Sequence, residues 1–269
     1  MESYYTETEK QFYALLLAAG LFFVIIKVAY EYFANEKFTL FHVFHPIKPI
    51  GAKERQFISQ FLKPFHDFNP EQRRQFLKRF AWFKSKKRFI FYGDIQNKEE
   101  IRAYVAASAI LVTMGMRNFK YQNSVSRIVV YPSKYCSRIS RKHHIGEYNP
   151  RLKTLVFSAE DLKEGYGIPN DGVNLGIHEV THALMIETRK KSTWEAMRFK
   201  VGLMRLKNQY ETAHFQDKLK SSTLFREYAQ SNFVEYFAVL VEVFFEQPIA
   251  LKQEYPGVYQ YVGKMLNYP

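Results

Sequence analysis

Five residues set the chemistry: His178-Glu179-Val180-Thr181-His182. Side chains four apart on a helix share a face, so both imidazoles can reach one cation. Glu179 stands one step round the helix, where it can take a proton from a metal-bound water. Two imidazoles and a carboxylate are the usual donors of a catalytic zinc that keeps one position open. Such an ion brings the pKa of bound water to about 7. The chemistry to expect is hydrolysis, with one Zn2+ per chain. The motif by itself also describes an ordinary helix with two partly buried histidines, so a third ligand is needed.

That ligand is to be sought in the apolar stretch Phe233 to Glu246. Glu235 interrupts it near its start, and a carboxylate among Phe233, Val234 and Phe237 is costly to bury unless something pairs it. Glu242, seven residues on, lies on a similar face, and Glu246 stands near the end. Spacing leaves all three open. His143-His144 lies in a basic stretch and reads as a solvated loop beside the cleft. His42 and His45 have nothing near them to complete a site.

These residues need helices to hold them. Ala52 to Phe65 and Pro70 to Lys87 repeat apolar residues at helical spacing, with Asn69-Pro70 as cap and first turn of the second. Glu99 to Met114 reads as a core helix that ends at Gly115. Arg127 to Tyr131 and Thr154 to Phe157 are β-branched or aromatic runs and predict strands of a small sheet. Thr154 to Phe157 is the edge on which an extended peptide could pair. From Val173 onward the chain reads as helical, with breaks near Lys191, Asp217 to Thr223 and Pro248. The fold class is α+β and α-rich, with one N-terminal transmembrane helix before a single soluble domain.

Phe12 to Tyr30 is nineteen residues broken only by Lys27, close to the roughly 20 that cross a hydrocarbon core. Tyr4, Tyr5, Tyr13, Tyr30 and Tyr32 suit an interfacial belt, and Lys27 can snorkel. The segment before it carries three Glu and one Lys, unlike a cleaved leader. Of the net charge of +13, most falls between Lys37 and Ile90, which hold thirteen Lys and Arg against three acids. That basic juxtamembrane block suits an anionic leaflet and, by the positive-inside rule, a cytoplasmic main domain on the inner cell membrane. Residues 1–37 are the tail and anchor, and 38–269 the soluble domain that carries the motif, with Phe38 to Ile50 as a linker. Cys136 is the single cysteine, which excludes an internal disulfide and agrees with a reducing compartment. No groove-reading motif accompanies the charge, so nucleic acid is not expected as a partner. Nothing in the sequence sets the oligomeric state.

The soluble part resembles the Mlc titration factor A (MtfA) group of zinc peptidases, whose active site is similar to the catalytic domain of anthrax lethal factor. The likeness runs from Arg55 to Pro269. It includes Ile128-Val129-Val130-Tyr131-Pro132-Ser133, Asp171-Gly172 and Asn174 leading into His178-Glu179, Glu235 followed by Phe237-Ala238-Val239, Phe244-Phe245, Pro248, Tyr255-Pro256 and Tyr259. The resemblance implies a zincin-like domain, a peptide or protein substrate, and aminopeptidase activity. It points to Glu235 as third ligand, beside His178 and His182. It also assigns the tyrosine seven residues earlier, Tyr228, to stabilising the tetrahedral intermediate, with Glu179 as general base. MtfA-like proteins commonly read Lys-Leu-Asp where this chain has Ala183-Leu184-Met185. Met185 thus removes an acidic partner of the metal face and bears on zinc affinity. The alternative from another class is a membrane-anchored protein that binds a regulator with little or no catalysis.

Overall fold

The structure, a computed structural model, describes residues 6–34, 47–117, 119–136, 143–168 and 170–268. Tyr4, Tyr5, His42, His45, Arg138, Arg141, Lys142 and most of the expected linker lie outside the described residues. The chain divides into two compact units, Met1–Thr39 and Leu40–Pro269.

The first unit holds helix α1 (Glu7–Ala34), and its stretch Glu7–Lys27 is long and apolar enough to cross a membrane. Its large apolar side chains, from Phe12 to Ile26, are exposed.

The second unit is helical around a small mixed sheet. Helix α2 (Ala52–Phe61) stops earlier than Phe65, because Pro64 has no N–H to continue the ladder; it opens the short α3 (Pro64–Asp67) instead. Asn69 and Gln72 form a reciprocal capping box at the head of α4 (Pro70–Lys86), with Pro70 in its first turn. Strand β1 (Arg88–Phe91) follows, and then α5 (Lys98–Val112), buried on almost every face. After α5 come β2 (Arg127–Tyr131), the two-residue pair β3 (Tyr135–Cys136) and β4 (His143–His144), β5 (Gly146–Asn149) and β6 (Thr154–Ser158).

The main sheet has the order β1-β2-β6-β5, parallel throughout except that β5 runs antiparallel to β6. This corrects the expectation that Thr154–Phe157 is an edge. Its residues are almost all buried, Leu155 pairs with Ile128 on one side and Tyr148 on the other, and the edge strands are β1 and β5. The apolar run Leu155-Val156-Phe157 in β6 is what a central strand requires.

Ser158 caps α6 (Ala159–Gly167), Asn174 caps α7 (Leu175–Arg189) and Thr193 caps α8 (Trp194–Tyr210). The break expected over Asp217–Thr223 begins only at Ser222, since Thr212 caps a further helix, α9 (Ala213–Ser221). A 3-10 turn (Glu227–Gln230) then leads to α10 (Phe233–Glu246), α11 (Pro248–Glu254) and α12 (Pro256–Leu266).

Helix α7 is held close to α5. A Cβ on Gly176 would stand 2.2 Å from Ser108 Oγ, so glycine two residues before His178 lets the two helices approach. The other long partner of α7 is α10, and these two helices carry most of the site.

Candidate active site

Helix α7 starts where Asn174 Oδ1 accepts from the backbone N–H of Ile177, and His178 begins its second turn. Asn232 caps α10 in the same way, its Oδ1 accepting from the N–H groups of Val234 and Glu235. The two helices run antiparallel, so the start of α10, with Glu235, lies against His178 and His182 further along α7, while Asn174 at the start of α7 lies against Glu242 and Glu246 toward the end of α10.

Three donor atoms converge between them. His178 Nε2 lies 3.1 Å from Glu235 Oε2, His182 Nε2 3.3 Å from the same oxygen, and the two Nε2 atoms 3.1 Å apart. His178, His182 and Glu235 form the group among the described residues that could hold a metal ion. Bonds of about 2.0 Å arranged tetrahedrally require donor atoms about 3.3 Å apart, which is the spacing seen. The residues therefore fit a small divalent ion. Burial opposes charge on His178, but hydrogen bonds to Glu235 and Glu242 outweigh it and push its pKa up to about 10. Burial likewise raises Glu235, and its bonds with His178 and His182 reverse this and hold it well below the usual carboxylate range.

Glu179 is different. It is buried, and its Oε2 has no hydrogen-bond partner. Burial raises its pKa against the pull of His178 and His182. The carboxylate lies against Gly146 of β5, where a Cβ would come within 2.7 Å of Glu179 Oε1. Glycine at that edge leaves the space Glu179 occupies.

The three carboxylates that spacing left open are separated by their surroundings. Glu235 joins the two histidines. Glu242, fully buried, lies behind them: Oε1 accepts from His178 Nδ1 at 2.7 Å and from Arg226 Nη2 at 2.6 Å, while Oε2 accepts from the Asn174 N–H at 2.6 Å. A carboxylate on Nδ1 fixes the ring and turns Nε2 toward the other donors. Glu246 accepts from the Gly172 N–H and from Asn174 Nδ2, tying α10 to the loop before α7. Arg226 carries no signal in the sequence that links it to the site. Glu242 did carry one, as an acid two turns after Glu235 in an otherwise apolar helix.

Tyr228 sits in the 3-10 turn, with its ring 5.9 Å from the His178 ring. Burial, and then the Glu235 charge, push its phenol up to about 12, so it keeps its proton at neutral pH. A cleft of about 690 Å³ opens over these groups, lined also by Met185, Leu203 and Met204 on one side and by His144, Glu147 and Tyr148 on the other. Met185 is thus part of the cleft wall, and the acidic partner of His178 comes from α10. His144 belongs to a short strand that borders the cleft, where a loop was expected.

The sequence pattern of the glucose-regulated metallo-peptidase M90 family matches residues 45–266. The chain belongs to that family. The assignment bears out the resemblance to MtfA read from the motifs. It gives the chain metallopeptidase-type function, a metal requirement, and peptide or protein as substrate class. An uncharacterized protein of Synechocystis sp. (strain ATCC 27184 / PCC 6803 / Kazusa), slr2042, is 23% identical over 217 residues, which cover 75% of this chain and 78% of that one.

Glu246 gives this M90 member a pH dependence away from the cluster. Burial, opposed by the Asn174 hydrogen bond, pushes its pKa up to about 8. A raised folded-state pKa contributes stability that is complete below the unfolded value, about 4.3, and disappears as pH rises through the folded one. Thermal unfolding should therefore show Tm falling from pH 6 toward pH 9, and Glu246→Gln should flatten that slope. Identical slopes for both proteins would show that Glu246 is not the cause.

Proposed function

We propose that the chain is a membrane-anchored, zinc-dependent peptidase, with zinc held by His178, His182 and Glu235. The observation that supports it is the convergence of three donor atoms at tetrahedral spacing beside a buried carboxylate with an unpaired oxygen. When bound, zinc supplies Lewis acidity, acidifying a bound water and polarising the scissile carbonyl.

The chain's own groups do the remainder. Glu179 Oε2 accepts the proton of the attacking water and then delivers it to the leaving amine; a carboxylate with a raised pKa suits both halves of that cycle. Tyr228 donates its O–H to the negative charge that develops on the carbonyl oxygen. Glu242 and Arg226 hold the His178 ring in orientation. The edge of β5, Gly146–Asn149, offers main-chain groups on which an extended substrate can add as a further strand, directly beside Glu179. Helix α1 serves as the anchor, and the basic block from Lys37 to Ile90 favours the cytoplasmic side for the catalytic domain.

Tyr228→Phe tests the oxyanion role. Losing one such donor costs on the order of 10²–10³ in kcat, with KM and metal content little changed. A variant with wild-type kcat would remove Tyr228 from the reaction.

A further inference from the structure

The outward side of α8 has an unusual composition. Ala196, Phe199, Gly202, Leu206 and Tyr210 face the core. On the opposite side, at about 100° per residue, Trp194, Met197, Val201 and Met204 fall in one row, with the polar Asn208 at its C-terminal end. All four apolar residues are exposed, Trp194 by 75% and Met204 by 58%. The same wheel puts Arg198 and Arg205 on one flank of the row and Lys200 and Lys207 on the other; Arg198 also donates to Asn267 Oδ1, Lys200 to the Lys191 carbonyl, and Lys207 pairs with Glu211. Glu195 is the one acid in the helix.

We propose that this face of α8 docks on an anionic membrane surface, and that the peptidase therefore takes polypeptide segments lying at the level of the lipid headgroups. An apolar row bordered by cations on both sides suits a helix in the membrane plane, with apolar groups among acyl chains and Lys and Arg at the phosphates. Charge argues against a second copy of the chain, because a two-fold contact along this row would set Arg and Lys against Arg and Lys. The same chain carries α1, which is apolar enough to span a membrane. The substrate class follows from continuity: Lys200, Met204 and Lys207 belong to the row or its flank and also line the cleft. A docked α8 brings that wall of the cleft to the headgroups. Only this last step rests on the peptidase reading.

The test uses the full chain with Cys136→Ser and Met197→Cys, labelled with an environment-sensitive fluorophore, one chain per nanodisc. The discs contain phosphatidylserine with phosphatidylcholine, or phosphatidylcholine alone. In anionic discs the label should be quenched by lipid-borne and not by aqueous quenchers. A label at Glu160→Cys, elsewhere on the surface, should remain in water. Arg198→Gln with Arg205→Gln should lower the docked equilibrium about 30-fold, from roughly five-fold per cation near an anionic surface. A peptide tethered to lipid should be cleaved faster than the same peptide free in solution, and the double variant should lose that advantage. The proposal is overturned by a label in water in anionic discs, by protection that needs two chains per disc, or by protection that needs an added acidic protein. Absence of cleavage of either peptide, with the label still in lipid, would count against the peptidase reading and leave docking in place.

Discussion

Glu179→Gln should lower peptide turnover by on the order of 10²–10⁴-fold, the usual contribution of a positioned general base, and leave metal content unchanged. The geometry makes this variant informative. Glutamine has nearly the shape of glutamate, and the space beside Gly146 that holds the carboxylate is preserved. What disappears is the proton acceptor at Oε2, which takes no hydrogen bond in the fold. The substitution also removes a buried carboxylate whose pKa burial has raised, so stability should hold or rise slightly. Steady-state cleavage of a peptide library, with metal analysis of the same preparation, reads both quantities. A protein that only binds a regulator would keep its biological effect in this variant. Turnover equal to wild type would take Glu179 out of the mechanism.

Glu242→Ala should do the opposite, harming fold and metal site together. Its carboxylate is fully buried and satisfies His178 Nδ1, Arg226 and the Asn174 N–H at once. Removing one member of a buried charged network costs about 3–5 kcal/mol, because the partners stay behind unpaired. For a domain of this size that corresponds to a fall in Tm of about 10 °C. Loss of the group that orients a metal-binding histidine typically weakens metal affinity by about 10–100-fold. Replacing both charged partners, as Arg226→Met with Glu242→Leu, separates the two effects. Apolar groups of similar volume should restore most of the stability, whereas the His178 ring still lacks its orienting carboxylate and affinity stays low. Calorimetry in chelator and zinc competition titration measure the two quantities. Recovery of both in the double variant would reduce Glu242 to a packing role.

The helices that bear the site were legible because each has its own local signal. The four-residue spacing of His178 and His182 is a helical face, and Phe233 to Glu246 is an apolar helical run; the caps Asn174 and Asn232 were found only in the structure. Glu235 stood out as a carboxylate in an apolar run. The sheet was only half legible. Arg88–Phe91 directly follows a run of cations, and Gly146–Asn149 is Gly-Glu-Tyr-Asn, without a β-branched residue, so neither reads as a strand. Missing β5 also put the peptide-binding edge on the wrong strand. Whether Glu235 or Glu242 joins the histidines could not follow from spacing, since seven residues return to nearly the same face. The packing of α10 against α7 makes that distinction. Arg226 reaches Glu242 from the chain just before the 3-10 turn, through a contact that no local pattern encodes.

Metal content of the purified full chain, wild type against Glu235→Ala, decides whether His178, His182 and Glu235 hold the metal. About one zinc per chain is expected in the wild type, from the three-ligand site, and a sharp fall in the variant with the fold retained. Wild-type protein that takes up no zinc after reconstitution, or a variant that holds it as tightly, would contradict the assignment of His178, His182 and Glu235 as the metal site.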